Sequence, residues 1–306
     1  MVTGEQRIRI GFDIGGSKLA VIALGHDGDE LACDRCPVPR AYPATLDALV
    51  AMTARYERAR GDARTVGIAL PGMIGADGEL VRVVNLPWLE GRPLRADLQR
   101  LLGLPVAIAN DANCFALSEA MDGAAAGAAV VFGVILGTGV GGGIVVGGRV
   151  IAGANAIAGE WGHNPLPETG TPGPAQLCGC GRRGCIETWL NGAALARDYR
   201  TDAGLEVEVD AAEVARRAVA GDRQARAAMA RYEERLAAAL AGIINILDPD
   251  VIALGGGLAS IDSLYRQVPK LWSRFCVAPQ PKTRLVRARF GPESGLRGAA
   301  WLGASG

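Results

Sequence analysis

The chain is poor in three things: a surplus of charge of either sign, aromatic side chains and histidine. Its 32 Lys and Arg balance 32 Asp and Glu, which argues against a nucleic acid or an anionic membrane surface as its main partner. Lys18, Lys270 and Lys282 are the only lysines. Aromatics make up 5% of residues whereas glycines number 43, so much of the backbone must turn tightly or approach a ligand closely. A secretory leader is also missing: the polar start at Met1–Arg7 runs straight into the strand-like IRIGFDI. The chain is therefore expected to be cytoplasmic, with its seven cysteines reduced and open to metal binding or catalysis. Intrinsic disorder is excluded by 49% hydrophobic and 21% charged residues. The length of 306 residues suggests two domains.

One uncharged stretch, residues 123 to 148, is long enough to span a bilayer. Ten of its positions are glycine, however, and β-branched runs flank GTGVGGG, so strand, glycine turn, strand is the reading adopted. No membrane partner is expected.

Apolar periodicity predicts strands at RIRIGFDI, KLAVIALG and ELACDRCPV, a helix at TLDALVAMTARYERAR ended by Gly61, and a strand at TVGIALPG. A helix at LRADLQRLLG, a strand at PVAIAN and a helix over 111–126 follow. The pattern then begins again with VVFGVILGTG and GGGIVVGG. Helices over 188–203 and 211–246 precede the strand VIALGGG, a helix at SIDSLYRQVPKLWSRF, the strand TRLVRARF and a terminal helix. Two copies of a βββαβα plan imply an α/β protein made by internal duplication, with two similar lobes facing a cleft. The expected small lobe covers 1–113. The expected large lobe covers 114–292, and helix 293–306 packs back on the first.

Three glycine turns end apolar strands: Asp13-Ile14-Gly15-Gly16-Ser17-Lys18, Gly137-Thr138-Gly139 and Gly255-Gly256-Gly257. Turns without side chains let backbone N–H groups face an anion, as in phosphate sites. No GxxxxGK[ST] is present, so a P-loop is excluded. Gly137, Gly139 and Gly142 match GxGxxG, but a strand follows where a dinucleotide fold needs a helix. A hairpin with Asp13 at the strand end suits a metal-nucleotide, the carboxylate holding Mg²⁺ directly or through water. Lys18 is read either as a charge near a phosphate or as a solvated lysine.

Cys178, Cys180 and Cys185 lie within eight residues, interrupted by glycine, and His163 upstream completes a Cys₃His set. That is the composition of a closed, structural Zn²⁺ site fixing a Gly- and Pro-rich loop, here residues 159–187. Cys33 and Cys36 form a CxxC on a strand-like segment, which speaks against redox chemistry. Cys114 and Cys276 read as small buried residues, and His26 as a solvated turn residue. Asn110-Asp111 ends a strand, where Asp111 is either a cleft carboxylate or a helix N-cap. Glu160 and Glu187 flank the cysteine cluster and suit a ligand with several hydroxyls.

Taken in order, DIGGSK, ALPG, ANDAN, LGTGVGGG, GEWGH, CxCGxxGCxE and LGGG resemble the ROK sugar kinases, within the two-lobed hexokinase/actin-like (ribonuclease H-like) superfamily. The nearer likeness, carried by GEWGHNPLP, ANDANCFALSEAMDGAAAG and NILDPDVIALGGG, is to bacterial fructokinases that also accept mannose. The resemblance implies ATP-dependent phosphorylation of a hexose at its 6-hydroxyl, with fructose as substrate and glucose or N-acetylglucosamine as the alternative. It implies Asp111 as general base, and Gly72, Asn85, Asn110, Glu160, His163 and Glu187 as sugar contacts. Mg-ATP would meet Asp13, Gly15, Gly16, Ser17, Lys18, Gly137, Thr138, Gly139 and Gly255–Gly257, and zinc would bind His163, Cys178, Cys180 and Cys185. A homodimer is expected by the same likeness. A sugar-responsive repressor of the family would need a helix-turn-helix ahead of a first strand that starts near residue 7. A chaperone- or actin-like ATPase would not need the Cys₃His loop.

Overall fold

The structure, a computed structural model, describes residues 7–75, 80–83, 85–168, 174–204 and 208–305. The first strands are β1 (Ile8–Ile14), β2 (Lys18–Leu24) and β3 (Glu30–Pro37), followed by helix α1 (Tyr42–Arg60) and strand β4 (Ala63–Leu70). A short pair, β5 (Gly72–Ile74) and β6 (Leu80–Val83), leads to α2 (Leu94–Leu102), β7 (Val106–Asn110) and α3 (Asp111–Met121). The next strands are β8 (Val130–Leu136), β9 (Val140–Val146) and β10 (Arg149–Val150). Helices α4 (Glu187–Leu190), α5 (Gly192–Ala203), α6 (Ala211–Ala220) and α7 (Arg223–Leu247) follow. The chain closes with β11 (Val251–Gly255), α8 (Asp262–Leu271), β12 (Arg284–Arg287) and α9 (Ser294–Trp301).

Two five-stranded sheets run β3-β2-β1-β4-β7 and β10-β9-β8-β11-β12. In the first, β1 pairs antiparallel with β2 and parallel with β4, and β7 joins β4 in parallel. In the second, β11 lies parallel to both β8 and β12, and β10 is antiparallel to β9. Matching positions therefore carry matching orders, which is the trace of the duplication. The uncharged stretch 123–148 supplies β8, the glycine turn and β9, and among the described residues no helix is long and apolar enough to cross a membrane.

By compactness the chain divides into one unit of residues 1–127, 143–158 and 292–306 and another of 128–142 and 159–291. The boundary expected at 113/114 falls inside α3, which lies in the first unit. Within that unit Ile8, Ile10, Phe12 and Ile14 line one face of β1 and join Leu49 and Tyr56 of α1 in the core. The other face is filled by α9. A Cβ on Gly11 would come within 2.5 Å of Ala300 N, and one on Gly67 within 1.7 Å of Ala299 O. Burial on both faces is why these strands read as near-continuous apolar runs.

Several helix limits differ from the sequence expectation, each at a capping residue. The helix expected over 111–126 stops at Met121, where the N–H groups of Asp122 and Gly123 both return to Ser118 O. The helix expected over 188–203 breaks at Asn191, whose side chain caps α5 by accepting Ala194 N–H at 2.8 Å. The one expected over 211–246 breaks at Gly221, with φ 104°, and restarts under an Asp222 cap. Local side-chain acceptors outcompeted the continuous helical pattern.

Candidate active site

In the first unit, β1 carries Asp13 to the rim of the sheet. The turn after it is closed by Gly15 N–H donating to Lys18 O at 2.9 Å. Gly16 sits against Asn85, whose Cβ lies 3.1 Å from where a Gly16 Cβ would be. Ser17 and Lys18 are exposed beside the turn. Asn85 itself has φ 63°, and Gly72, opening β5, has φ 143°; both are backbone settings that side chains rarely adopt.

At the end of β7 the N-cap of α3 is Asn110, whose Oδ1 accepts Asn113 N–H at 2.8 Å. Asp111 is thus the first helical residue rather than the cap, and its carboxylate accepts Ala112 N–H at 2.9 Å. It keeps solvent access, yet the protein gathered around it pushes its pKa up against that pull from the backbone. Asp13 is half-buried, and burial, then the charge of Asp111, raises its pKa to about 6. A half-buried carboxylate whose ionisation is hindered by a second one nearby suits a hard cation, so these residues fit Mg²⁺.

In the second unit, two glycine turns abut. The turn 137–139 is closed by Gly137 N–H to Gly139 O at 3.0 Å, with Thr138 exposed at its tip. Gly255 ends β11, and Gly256, with φ 82°, lies so close to Leu136 that a Cβ would fall 2.3 Å from its carbonyl oxygen. Gly257 is open to solvent. Glu187, the first residue of α4, ties this region down: Oε2 accepts Val140 N–H at 3.1 Å, and Oε1 lies 3.5 Å from Cys178 Sγ.

His163, Cys178, Cys180 and Cys185 converge, their ligand atoms all within 4.8 Å of one another. His163 Nδ1 is 3.5 Å from Cys178 Sγ, and Cys180 Sγ is 3.6 Å from Cys185 Sγ. A tetrahedron with ~2.3 Å Zn–S bonds has edges of about 3.7 Å, so the donor set and its spacing fit zinc. Hydrogen bonds from the Arg182 backbone and side chain lower the Cys180 pKa to about 6, which favours the thiolate that a metal needs. His163 Nε2 faces Glu160 Oε2 at 3.8 Å. Trp161 anchors the short turn between them, donating its indole N–H to Gly141 O at 3.0 Å and meeting Phe132 edge-on.

Cys33 and Cys36 lie three apart on β3, hence on opposite faces, and are free. Cys114 is wholly buried beside Ala69, Ala109 and Ala299. Sequence reasoning missed the Glu187–Val140 link and a cavity in the second unit, walled by α6, α7 and α8. The residues just after the Gly255–Gly257 turn, Ser260 and Ile261, also line it. The small residues of α6, Ala212, Ala215 and Ala218, were the available signal.

An N-acetyl-D-glucosamine kinase of Vibrio vulnificus (strain YJ016) is 38% identical over 302 residues, covering 97% of this chain and 99% of that protein. An N-acetyl-D-glucosamine kinase of Escherichia coli O127:H6 (strain E2348/69 / EPEC) is 40% identical over 299 residues, covering 95% of this chain and 98% of that protein. These similarities correct the nearer likeness expected to fructokinases. The ROK hexokinase of Thermus thermophilus superposes with a TM-score of 0.82 at 33% identity, covering 96% of this chain and 97% of that one. A ROK glucokinase from Streptomyces griseus, solved with glucose and AMPPNP, gives 0.74 at 29% identity, covering 98% and 100%. The model of the ROK family matches residues 9–305. With a family model matched over nearly the whole chain and relatives of 38% and 40% identity covering nearly all of it, the chain belongs to the ROK family.

Proposed function

We propose that the protein is an ATP-dependent sugar kinase that phosphorylates the 6-hydroxyl of N-acetyl-D-glucosamine. The reaction follows from the site, the sugar from its relatives. The observation that carries the reaction is the Asp13–Asp111 pair, two carboxylates close enough for one to raise the pKa of the other. Phosphoryl transfer needs little covalent help, so positioning and charge neutralisation lower most of the barrier.

Asp111 is the general base. The Ala112 N–H fixes its carboxylate, and its raised pKa brings it nearer the pH at which it must accept the hydroxyl proton. Asp13 holds Mg²⁺, which when bound neutralises charge on the phosphates. The turns at Gly137–Gly139 and Gly255–Gly257 offer backbone N–H groups to the phosphates, and the cavity beyond Ser260 takes the nucleoside. Gly72, Asn85, Asn110, Glu160, His163 and Glu187 are assigned to the sugar. With His163 Nδ1 turned to the thiols, Nε2 remains for a hydroxyl. Zinc at His163, Cys178, Cys180 and Cys185 would fix the loop that presents His163 and Glu187.

The test is sugar-dependent ADP release across N-acetylglucosamine, glucose, mannose and fructose. The reading expects the highest kcat/KM with N-acetylglucosamine and a 6-phosphate product. Release that no sugar stimulates rejects the kinase, and a clear preference for fructose rejects the acceptor.

A further inference from the structure

The cavity in the second unit has a volume of about 820 Å³. One wall is the face of α6 that carries Ala212, Ala215 and Ala218, edged by Arg216; Met229 of α7 adds apolar surface to it. The opposite wall belongs to α8 and the turn before it. Between them stands an unusual residue, Glu233 of α7, a carboxylate only 8% exposed. Ser263 hydrogen-bonds it and Arg266 lies near enough to favour its charge, yet burial outweighs both and pushes its pKa up. A carboxylate buried in the wall of a cavity costs stability unless donors, its own or a ligand's, meet it there. Nothing in the reading of the phosphate turns or of the sugar site uses it.

Its place along the wall indicates what the donor is. Ser260 comes three residues after Gly257, its Oγ donating to Gly257 O at 2.8 Å. Ser263, the partner of Glu233, comes three residues further on, in the first turn of α8. With phosphates at Gly255–Gly257, a nucleoside lying in this cavity would run past Ser260 towards Ser263 and Glu233, which line it. We propose that Glu233 accepts a hydrogen bond from the exocyclic amino group of the nucleotide base, making it a specificity determinant for adenine. A base with a carbonyl at that position would set two acceptors face to face in a buried setting, which such sites reject strongly. The inference rests on the kinase reading for the placement of the phosphates.

The experiment compares ATP with ITP, which replaces the amino group by a carbonyl, in the wild-type protein and in Glu233→Gln. The glutamine is nearly isosteric and can turn its amide to offer either a donor or an acceptor. Wild type is expected to favour ATP by about 10- to 100-fold in kcat/KM, the range of one hydrogen bond to a charged group. Glu233→Gln should narrow this to about threefold, chiefly through a raised KM for ATP. Calorimetric binding of ADP and IDP without sugar should show the same narrowing, and it judges Glu233 whether or not any sugar is phosphorylated. An unchanged base preference in Glu233→Gln overturns the proposal. Should Ala215→Trp, which fills the cavity, weaken ADP binding while that preference stays fixed, the nucleoside site stands and the role of Glu233 falls.

Discussion

At the scale of single residues, the site depends on acids held where their charge is costly. Removal of Asp111 as Asp111→Ala is expected to lower kcat by about 10²- to 10⁴-fold while sugar binding, read by calorimetry, survives. Near-normal turnover would reject the base assignment. Asp13 gives a pH-dependent test. Its pKa is near 3.8 when unfolded and about 6 when folded, so between these values the folded state binds more protons than the unfolded one. Stability therefore falls as pH rises through that window. At pH 7 the ligand-free Asp13→Asn protein should be more stable than wild type by on the order of 2 kcal/mol. At pH 3.5 the two should differ little, because the carboxyl is then mostly protonated in both states. Urea denaturation at the two pH values measures this; equal differences at both would contradict the raised pKa of Asp13.

Asp13 was marked in the sequence by the glycine hairpin that follows it, whereas Asp111 read either as a cleft carboxylate or as a helix N-cap until the family resemblance suggested a base. The exchange of roles at the start of α3 was not legible. Asn and Asp are equally good caps, and only the hydrogen bond from Asn113 distinguishes Asn110 as the one used. Glu233 was hidden for a different reason: in the charged run Arg231-Tyr232-Glu233-Glu234-Arg235 nothing marks which carboxylate turns inward.

At the scale of elements, the central strands were read to within two or three residues, since both faces of each sheet's centre are buried and the apolar runs stand out, while the edge strand expected at TRLVRARF shrinks to Arg284–Arg287. Helix limits were read less well because caps such as Asn191 and Asp222 interrupt patterns that hydrophobic spacing alone would continue. The short pair β5–β6 carries no alternation long enough to detect. The convergence of the cysteine knuckle was legible, because three thiols within eight residues and one upstream histidine match the composition of a zinc site. Its loop has little apolar core of its own, so Cys180→Ala or strong chelation should expose the amides of 176–186 to hydrogen exchange. The KM for sugar should rise about tenfold or more, through loosened His163 and Glu187. Unchanged exchange in protein shown to be metal-free would reject the metal as the brace of this loop.

At the scale of the whole molecule, duplication explains why two sheets share one strand order while differing in edge strands: β3 has eight residues and β10 only two. The first unit is completed by α9, where glycine is obligatory. A Cβ on Gly298 would sit 1.7 Å from Cys114 O, so Gly298→Ala must force α9 away from α3. A loss of more than about 3 kcal/mol is expected, beyond ordinary overpacking because the obstacle is backbone. A melting temperature within a degree or two of wild type would contradict the seating of this helix. Around it Arg297 bonds Asp122 and the carbonyl of Gly28, and Ser294 bonds Glu119, so the seat is polar as well as tight.

The seating of α9 also sets an order of events on the ribosome. Residues 159–291 form a continuous stretch of the second unit, so that part can begin to fold as it emerges. The sheet made earlier must wait with one apolar face uncovered until residues 294–301 arrive. At about 5–20 residues per second, the interval after β7 is on the order of 10 s or longer. Throughout that time the nascent chain offers an open surface to chaperones, and to neighbouring chains with which it could aggregate.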